Sequence, residues 1–263
     1  MMRLMHDNPF NILGNQSFAR GDLSGALAYY RRALEADRRH GSDRELAVTL
    51  GNLANVEASL GQREEAETLY RQVLELERRL GDERQIALTL LHLGNLAADA
   101  LEAPRARAYY LEARDVFERL EEVGALGVLH QNTGLLAREL GEYETAVEAF
   151  EHALGLMRRA GDQRGVGAVY TNLGRTYHLM ERLDDAWACC TTALAMAERR
   201  GDEMALATAR YHLAGICEAR GDTRSALTHL RVVVDIDRRY GLPKYDENVA
   251  RLSALEAVLK GAS

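Results

Sequence analysis

Gly41, Gly81, Gly161, Gly201 and Gly241 stand forty residues apart or at multiples of forty, and only Glu121 interrupts the series. Each glycine sits in a similar string: "RRHGSDREL" from Arg38, "RRLGDERQ" from Arg78, "RRAGDQRG" from Arg158 and "RRGDEMA" from Arg199. A fixed period in this range restricts a chain to architectures of stacked repeats, in which each unit buries its apolar face only against its neighbours. The expectation is therefore one elongated array over residues 1–263.

Stacking the chain in rows of forty exposes the packing. One column reads Ala26, Ala66, Ala106, Ala146, Ala186 and Ala226. Another, twelve residues earlier in each row, reads Gly14, Ala54, Gly94, Gly134, Gly174 and Ala214. Two small columns predict two helices in close contact within each row. Large residues flank them at helical spacing: Leu13, Leu53, Leu93, Leu173 and Leu213 in one column, with Thr133 the exception. A second large column holds Tyr30, Tyr70, Tyr110, Phe150, Cys190 and Leu230. Gly21, Gly61, Gly141 and Gly221 mark a tight turn between the two helices. Rows three and five lack that glycine, yet the turn is expected to survive, with Pro104 at the start of a helix, where a missing N–H does little harm.

The arginines have a physical reading in this frame. Arg39, Arg79, Arg119, Arg159, Arg199 and Arg239 fall in the last turn of every second helix, where a cation meets the negative end of the helix dipole. The glycine that follows is predicted to take the left-handed position, and Ser42, Asp82, Asp162 or Asp202 to cap the next helix. These arginines alternate with acids such as Glu35, Glu77 and Glu198, which argues for punctuation over a basic phosphate-binding strip.

Composition supports an all-α class and excludes several functions. There are three prolines and 6% aromatics, and the charge is −7 from 33 basic and 40 acidic residues, interleaved along the chain. Direct binding to nucleic acid or to an anionic membrane is disfavoured. Cys189, Cys190 and Cys217 are odd in number and form no CxxC pair, which suits a reducing cytoplasmic location. The start, "MMRLMHDNPFNILG", has no apolar run of signal-peptide length, and a protein that is not exported is expected.

The columns resemble the tetratricopeptide repeat, whose helix–turn–helix unit carries a bulky residue, Leu, Gly or Ala, an aromatic, Ala, an aromatic and Ala at set positions. Row two shows them as Leu50, Leu53, Ala54, Ala66, Tyr70 and Val73, and row five as Tyr170, Leu173, Gly174, Tyr177, Ala186 and Ala193. Thr133 and Arg210 depart from the pattern, as does the absence of the usual terminal proline. The forty-residue length is similar to the subclass in kinesin light chains, spindle-orientation adaptors and bacterial peptide-pheromone receptors. The resemblance implies an all-α solenoid, a right-handed superhelix of six helical pairs near residues 8–40, 44–80, 84–120, 124–160, 164–200 and 204–240. A lone capping helix is expected over 245–259, its charges Asp246, Glu247, Arg251, Glu256 and Lys260 on a solvated outer side.

Catalytic chemistry finds no support. The chain has no GxxxxGK[ST] loop and no HExxH pair, and Gly165 and Gly167 follow a helix end instead of a strand. Cys190 falls in a core column and reads as a buried, inert thiol. The histidines do not cluster: His92 and His212 share a column, whereas His130, His152, His178 and His229 scatter. No catalytic residue, metal or cofactor is therefore assigned, and the chain is expected not to be an enzyme.

One column is polar although it precedes the leucine column: Ile12, Asn52, His92, Asn132, Asn172 and His212. Three residues on, Asn15, Asn55 and Asn95 add a second amide row. First helices of such stacks line a concave groove, so the two rows would form an amide ladder that offers donors and acceptors to an extended peptide backbone. In the resembled peptide-binding families asparagines at this position hold the peptide main chain, which implies that role for Asn52, Asn132 and Asn172. The alternative is that these amides brace adjacent repeats. Arg138, Arg175 and His178 lie near the later asparagines, while Glu57 and Asp99 lie nearer the start, so an acidic group of the ligand is expected beside Arg138 and Arg175. The expected function is a scaffold that binds a protein or an extended peptide. Alternatives are a peptide-sensing module of a bacterial regulator and a homo-oligomeric structural array.

Overall fold

A computed structural model describes residues 8–261. Among the described residues there are thirteen helices and no strand. Two compact units are formed, Met1–Glu122 and Val123–Ser263. The first contains α1 (Pro9–Ala19), α2 (Leu23–His40), α3 (Asp43–Ser59), α4 (Arg63–Leu80), α5 (Glu83–Asp99) and α6 (Ala103–Arg119). The second contains α7 (Val123–Glu139), α8 (Tyr143–Arg159), α9 (Gln163–Leu179), α10 (Leu183–Arg200), α11 (Glu203–Ala219), α12 (Thr223–Tyr240) and α13 (Tyr245–Gly261). In each unit the odd-numbered helix of a repeat packs on the even-numbered helix that follows, and each pair stacks on the next.

The small columns explain that packing. All six column alanines are fully buried. A Cβ placed on Gly94 would lie 2.5 Å from Tyr110 Cε1, and one on Gly134 would lie 2.7 Å from Phe150 Cε1. The aromatic ring of the second helix thus occupies the space that a side chain on the first helix would need. The leucine column packs backwards: Leu53 joins Ala26 and Tyr30 of the preceding repeat. Leu13 corrects the expectation of a uniformly buried column, being 39% exposed. Its helix is the first of the described stack.

The turns follow the sequence reading. Gly21, Gly61, Gly141 and Gly221 have φ of 78°, 77°, 77° and 74°. Leu101 and Glu181 hold the same left-handed conformation at 57° and 60°, closed by Leu101 N–H to Ala98 C=O at 2.9 Å and Glu181 N–H to His178 C=O at 3.0 Å. Repeat packing thus overrides a local cost of about 1 kcal/mol for a residue with a Cβ.

Between repeats, Ser42, Asp82, Asp162 and Asp202 accept hydrogen bonds from the N–H groups of Glu45, Gln85, Gly165 and Ala205. Gly81, Gly161, Gly201 and Gly241 are left-handed. Gly41 is not: at φ −80° and ψ 163° it is extended, because the two-residue link runs straight into the capping box of Ser42 and Glu45. In three repeats the terminal arginine also ties the repeat to its own beginning. Arg79 meets Asp43 at 3.1 Å, Arg119 meets Glu83 at 3.3 Å and Arg239 meets Glu203 at 3.1 Å. These pairs are exposed and screened by solvent, so each contributes little to stability.

In the cap, Leu252 and Leu255 of α13 cover Ala214, Leu230 and Val233. Arg251 departs from the expected outward position. It folds back to Glu218 on α11 and lies 4.9 Å over the Tyr211 ring.

Candidate functional site

In the first unit, α3 and α5 bring Asn52, Asn55 and His92 to one cleft of about 360 Å³, whose floor includes Tyr70, Glu77 and Thr89. The second amide row is tied to the aromatic column by a repeated bond across fifteen residues. Tyr30 O–H donates to Asn15 Oδ1 at 2.6 Å, Tyr70 O–H to Asn55 Oδ1 at 2.5 Å and Tyr110 O–H to Asn95 Oδ1 at 2.8 Å. Each tie positions the amide and uses its oxygen. The His92 ring stacks on Tyr70 at 5.2 Å and 4°, and burial holds its pKa below the usual histidine value, so it is neutral near pH 7. Glu57 does not face this cleft. It pairs with Arg31 at 3.6 Å and borders a separate hollow with Glu64 and Glu65.

Two acids line the cleft: Asp82, which pairs with Arg44 at 3.2 Å, and Glu77, only 5% exposed. One of its carboxyl oxygens, Oε2, is buried with no hydrogen-bonding partner. Burial, with a smaller push from Asp82, raises its pKa to about 7 against a hydrogen bond from Thr89. In the sequence Glu77 reads only as a counter-charge to neighbouring arginines. Its column held the missed signal, since Asp37, Glu77 and Asp237 are acids at a register that elsewhere carries Phe117, Met157 and Ala197.

In the second unit a cleft of about 700 Å³ opens beside α9, α11 and the start of α13. Arg175, His178 and His212 line it, together with Tyr211, Lys244 and Asn248. Its walls are otherwise largely apolar, with Leu179, Met204, Val233 and Leu242 among them. Arg138 is buried behind Arg175 and donates through Nη1 to Asn172 Oδ1 at 3.2 Å. Both guanidinium groups share Glu139, at 3.3 Å from Arg138 and 3.8 Å from Arg175. Burial and the charge of Arg175 lower the Arg138 pKa. Asn132 lies half-buried on α7, one first helix before Asn172.

The field of this cluster is visible at His212, whose pKa falls to about 4 through burial and the positive charges of Arg175, Arg138, His178 and Lys244. His178 is lowered by burial and by Arg251. Tyr211 is flanked by two cations, with Lys244 Nζ at 5.4 Å and the Arg251 guanidinium at 4.9 Å from its ring. Asp237 on the floor accepts from Asn248 Nδ2 at 2.7 Å, and Asn248 Oδ1 is buried without a partner. Sequence reasoning brought Arg138, Arg175 and His178 together. It missed Tyr211 on α11, and Lys244 and Asn248, which the connection and the cap helix supply.

The remaining reactive groups are quiet. Burial pushes Cys190 up to about 12 and Cys189 to about 11, so neither forms a thiolate near pH 7. The Gly165 N–H is engaged by the Asp162 carboxylate at 2.9 Å. Among the described residues no group of three or more His, Cys, Asp or Glu is arranged to hold a metal, and no helix is long and apolar enough to cross a membrane.

Family models for the tetratricopeptide repeat match residues 6–79, 129–157 and 165–239, more than half of the chain. The chain belongs to the tetratricopeptide repeat family. No curated protein matches this tetratricopeptide repeat chain. Solved structures share its fold. BtubC (BKLC) from P. vanneervenii is 21% identical with a TM-score of 0.67, covering 91% of this chain and 92% of its own. A Rap protein complexed with competence and sporulation factor is 17% identical with a TM-score of 0.72, covering 97% of this chain and 76% of its own. Aspartyl phosphate phosphatase F from Bacillus subtilis is 13% identical with a TM-score of 0.71, covering 92% and 68%. At these identities the likeness concerns the repeat architecture alone.

Proposed function

We propose that this tetratricopeptide repeat protein is a non-catalytic scaffold that binds an extended, acidic peptide segment of a partner along the first helices of its second unit. The observation that carries the reading is the convergence of Arg175, His178, His212 and Lys244 on a largely apolar cleft. Glu139 is shared between Arg138 and Arg175, and the acid that lines the cleft, Asp237, is tied to Asn248, so Arg175 and Lys244 together leave the lining positive. A carboxylate entering beside Arg175 meets charge-assisted donors, and an adjacent apolar side chain meets Met204, Leu242 and the Tyr211 ring. Asn172, fixed by Arg138, and Asn132 on the preceding first helix supply amides to the peptide backbone. A peptide-sensing role in regulation is a second reading, supported by the fold likeness to a Rap protein complexed with competence and sporulation factor.

Panning a random octapeptide library against the protein tests the reading. Peptides with Asp, Glu or a free terminal carboxylate are expected to be enriched, and Arg175→Ala should abolish that enrichment. Enrichment that ignores charge, or that survives Arg175→Ala, removes the second unit as the acidic-peptide site.

A further inference from the structure

The cleft of the first unit has an opposite chemistry. Its floor carries Glu77, almost fully buried, with one carboxyl oxygen lacking any donor. The equivalent acids elsewhere are satisfied. Asp37 accepts from Asn8 Nδ2 at 2.7 Å and Thr49 Oγ1 at 2.5 Å, and Asp237 accepts from Asn248 Nδ2 at 2.7 Å. Where Asn248 follows Asp237 by eleven residues, the position eleven after Glu77 is Leu88. A buried carboxyl oxygen without a donor is costly to leave unpaired, so a ligand that supplies the donor gains affinity.

The other charged groups of the cleft leave this acid uncompensated. Arg44 of α3 is engaged by Asp82 at 3.2 Å, His92 of α5 is neutral, and the Tyr70 phenol of α4 is held un-ionised by burial and donates to Asn55. The mouth presents the Asn52 and Asn55 amides and the apolar Val48 and Leu80. Such a lining suits an alkyl chain that ends in a cationic donor.

We infer that the first-unit cleft is a binding subsite for a primary ammonium, such as a lysine side chain, whose methylenes lie along Val48 and Leu80 and whose N–H groups are accepted by Glu77. This subsite stands independently of the acidic-peptide reading for the second unit. Because the free carboxyl titrates near neutrality, an ammonium that favours the ionised form lowers its pKa and binds more tightly as pH rises.

The test is an NMR titration of the full chain with N-acetyl-lysinamide as the probe and N-acetyl-norleucinamide, which lacks the amine, as the comparator. Saturable shifts at the Asn52 and Asn55 side-chain amides and the His92 ring are expected with the lysine probe, at least tenfold weaker with norleucine. Between pH 6 and pH 8 the ionised fraction of a carboxyl with pKa near 7 rises from roughly a tenth to roughly nine-tenths, so affinity should rise close to tenfold. Glu77→Gln should weaken the lysine probe at least tenfold and remove the pH dependence. In wild-type protein labelled with 13C at Glu side-chain carboxyl carbons, the Glu77 titration should move to lower pH on adding the probe. That measurement decides the matter if the variant fails to fold. Equal binding of both probes, or a Glu77 titration unmoved by saturating lysine probe, overturns the subsite.

Discussion

The two clefts are the same place in the repeat, four periods apart. Ala47 and Ala207, Asn52 and His212, Val73 and Val233, and Glu77 and Asp237 line them pairwise. The backbone and the buried columns beneath are alike, and the linings differ. In the first unit the acid is longer, short of a donor and shares its cleft with Asn52. In the second unit the acid is held by Asn248, and the cleft is filled with positive charge from Arg175 and Lys244. The scaffold therefore fixes where a ligand enters, while a few positions outside the core columns set the sign of what is accepted.

The largest expected effect breaks this pairing from the cationic side. Arg175→Glu with Lys244→Glu should reduce binding of acidic library-derived peptides at least a hundredfold, about 3 kcal/mol, through lost attraction and new repulsion. Both side chains lie at the surface, so folding should be preserved. Fluorescence anisotropy measures the loss, and binding of the lysine probe to the first unit should stay unchanged. A parallel loss at both clefts would show that they are not chemically independent.

The next effect concerns what the clefts share. Ala66→Leu and Ala146→Leu, one in each unit, insert bulk at fully buried positions of the same column. Each should cost about 1–3 kcal/mol by overpacking, read from denaturant unfolding, whereas the exposed control Glu148→Leu should cost much less. A large difference between the two alanine sites would mean that the units do not share one packing rule.

Most of this shared layer was legible in the sequence because it repeats. The alanine column, the left-handed turns and the Asp caps each have a steric or hydrogen-bonding cause that recurs every forty residues, so rows corroborate one another. Leu101 and Glu181 were recoverable for the same reason, although neither residue advertises a turn. Ends were harder. Leu13 carries the core residue type on the first described helix and is nonetheless exposed, and Arg251 of the cap turns inward to Glu218. The candidate sites were legible only in part, since recognition depends on positions that vary from row to row. Asn55 and Asn95 read as free amides until their tyrosine partners, fifteen residues on, are placed. Lys244 and Asn248 belong to no predicted row of helical pairs, and their role appears only once α13 packs on α12.

The smallest expected effect sharpens the comparison through pH. His212 has its pKa depressed to about 4 from an ordinary value of 6.5, first by burial and then by Arg175, Arg138, His178 and Lys244. The folded protein therefore binds fewer protons than the unfolded chain between these values. The stability associated with His212 is complete above pH 6.5 and is lost as pH falls toward 4. A carboxylate bound beside Arg175 offsets part of the repulsion and raises the His212 pKa, so binding in the second unit takes up a fraction of a proton. Affinity for an acidic peptide should then increase modestly, by about twofold to threefold, as pH falls from 6.5 toward 5, before the ligand carboxylate itself protonates near ~4. The lysine probe should weaken over that same descent, because Glu77 is becoming neutral. Opposite pH slopes at two clefts built on the same columns are the expected result. Titrations followed at the His212 ring and at the Glu77 carboxyl measure them in one sample, and slopes of the same sign would show that the two linings do not impose opposite charge on their ligands.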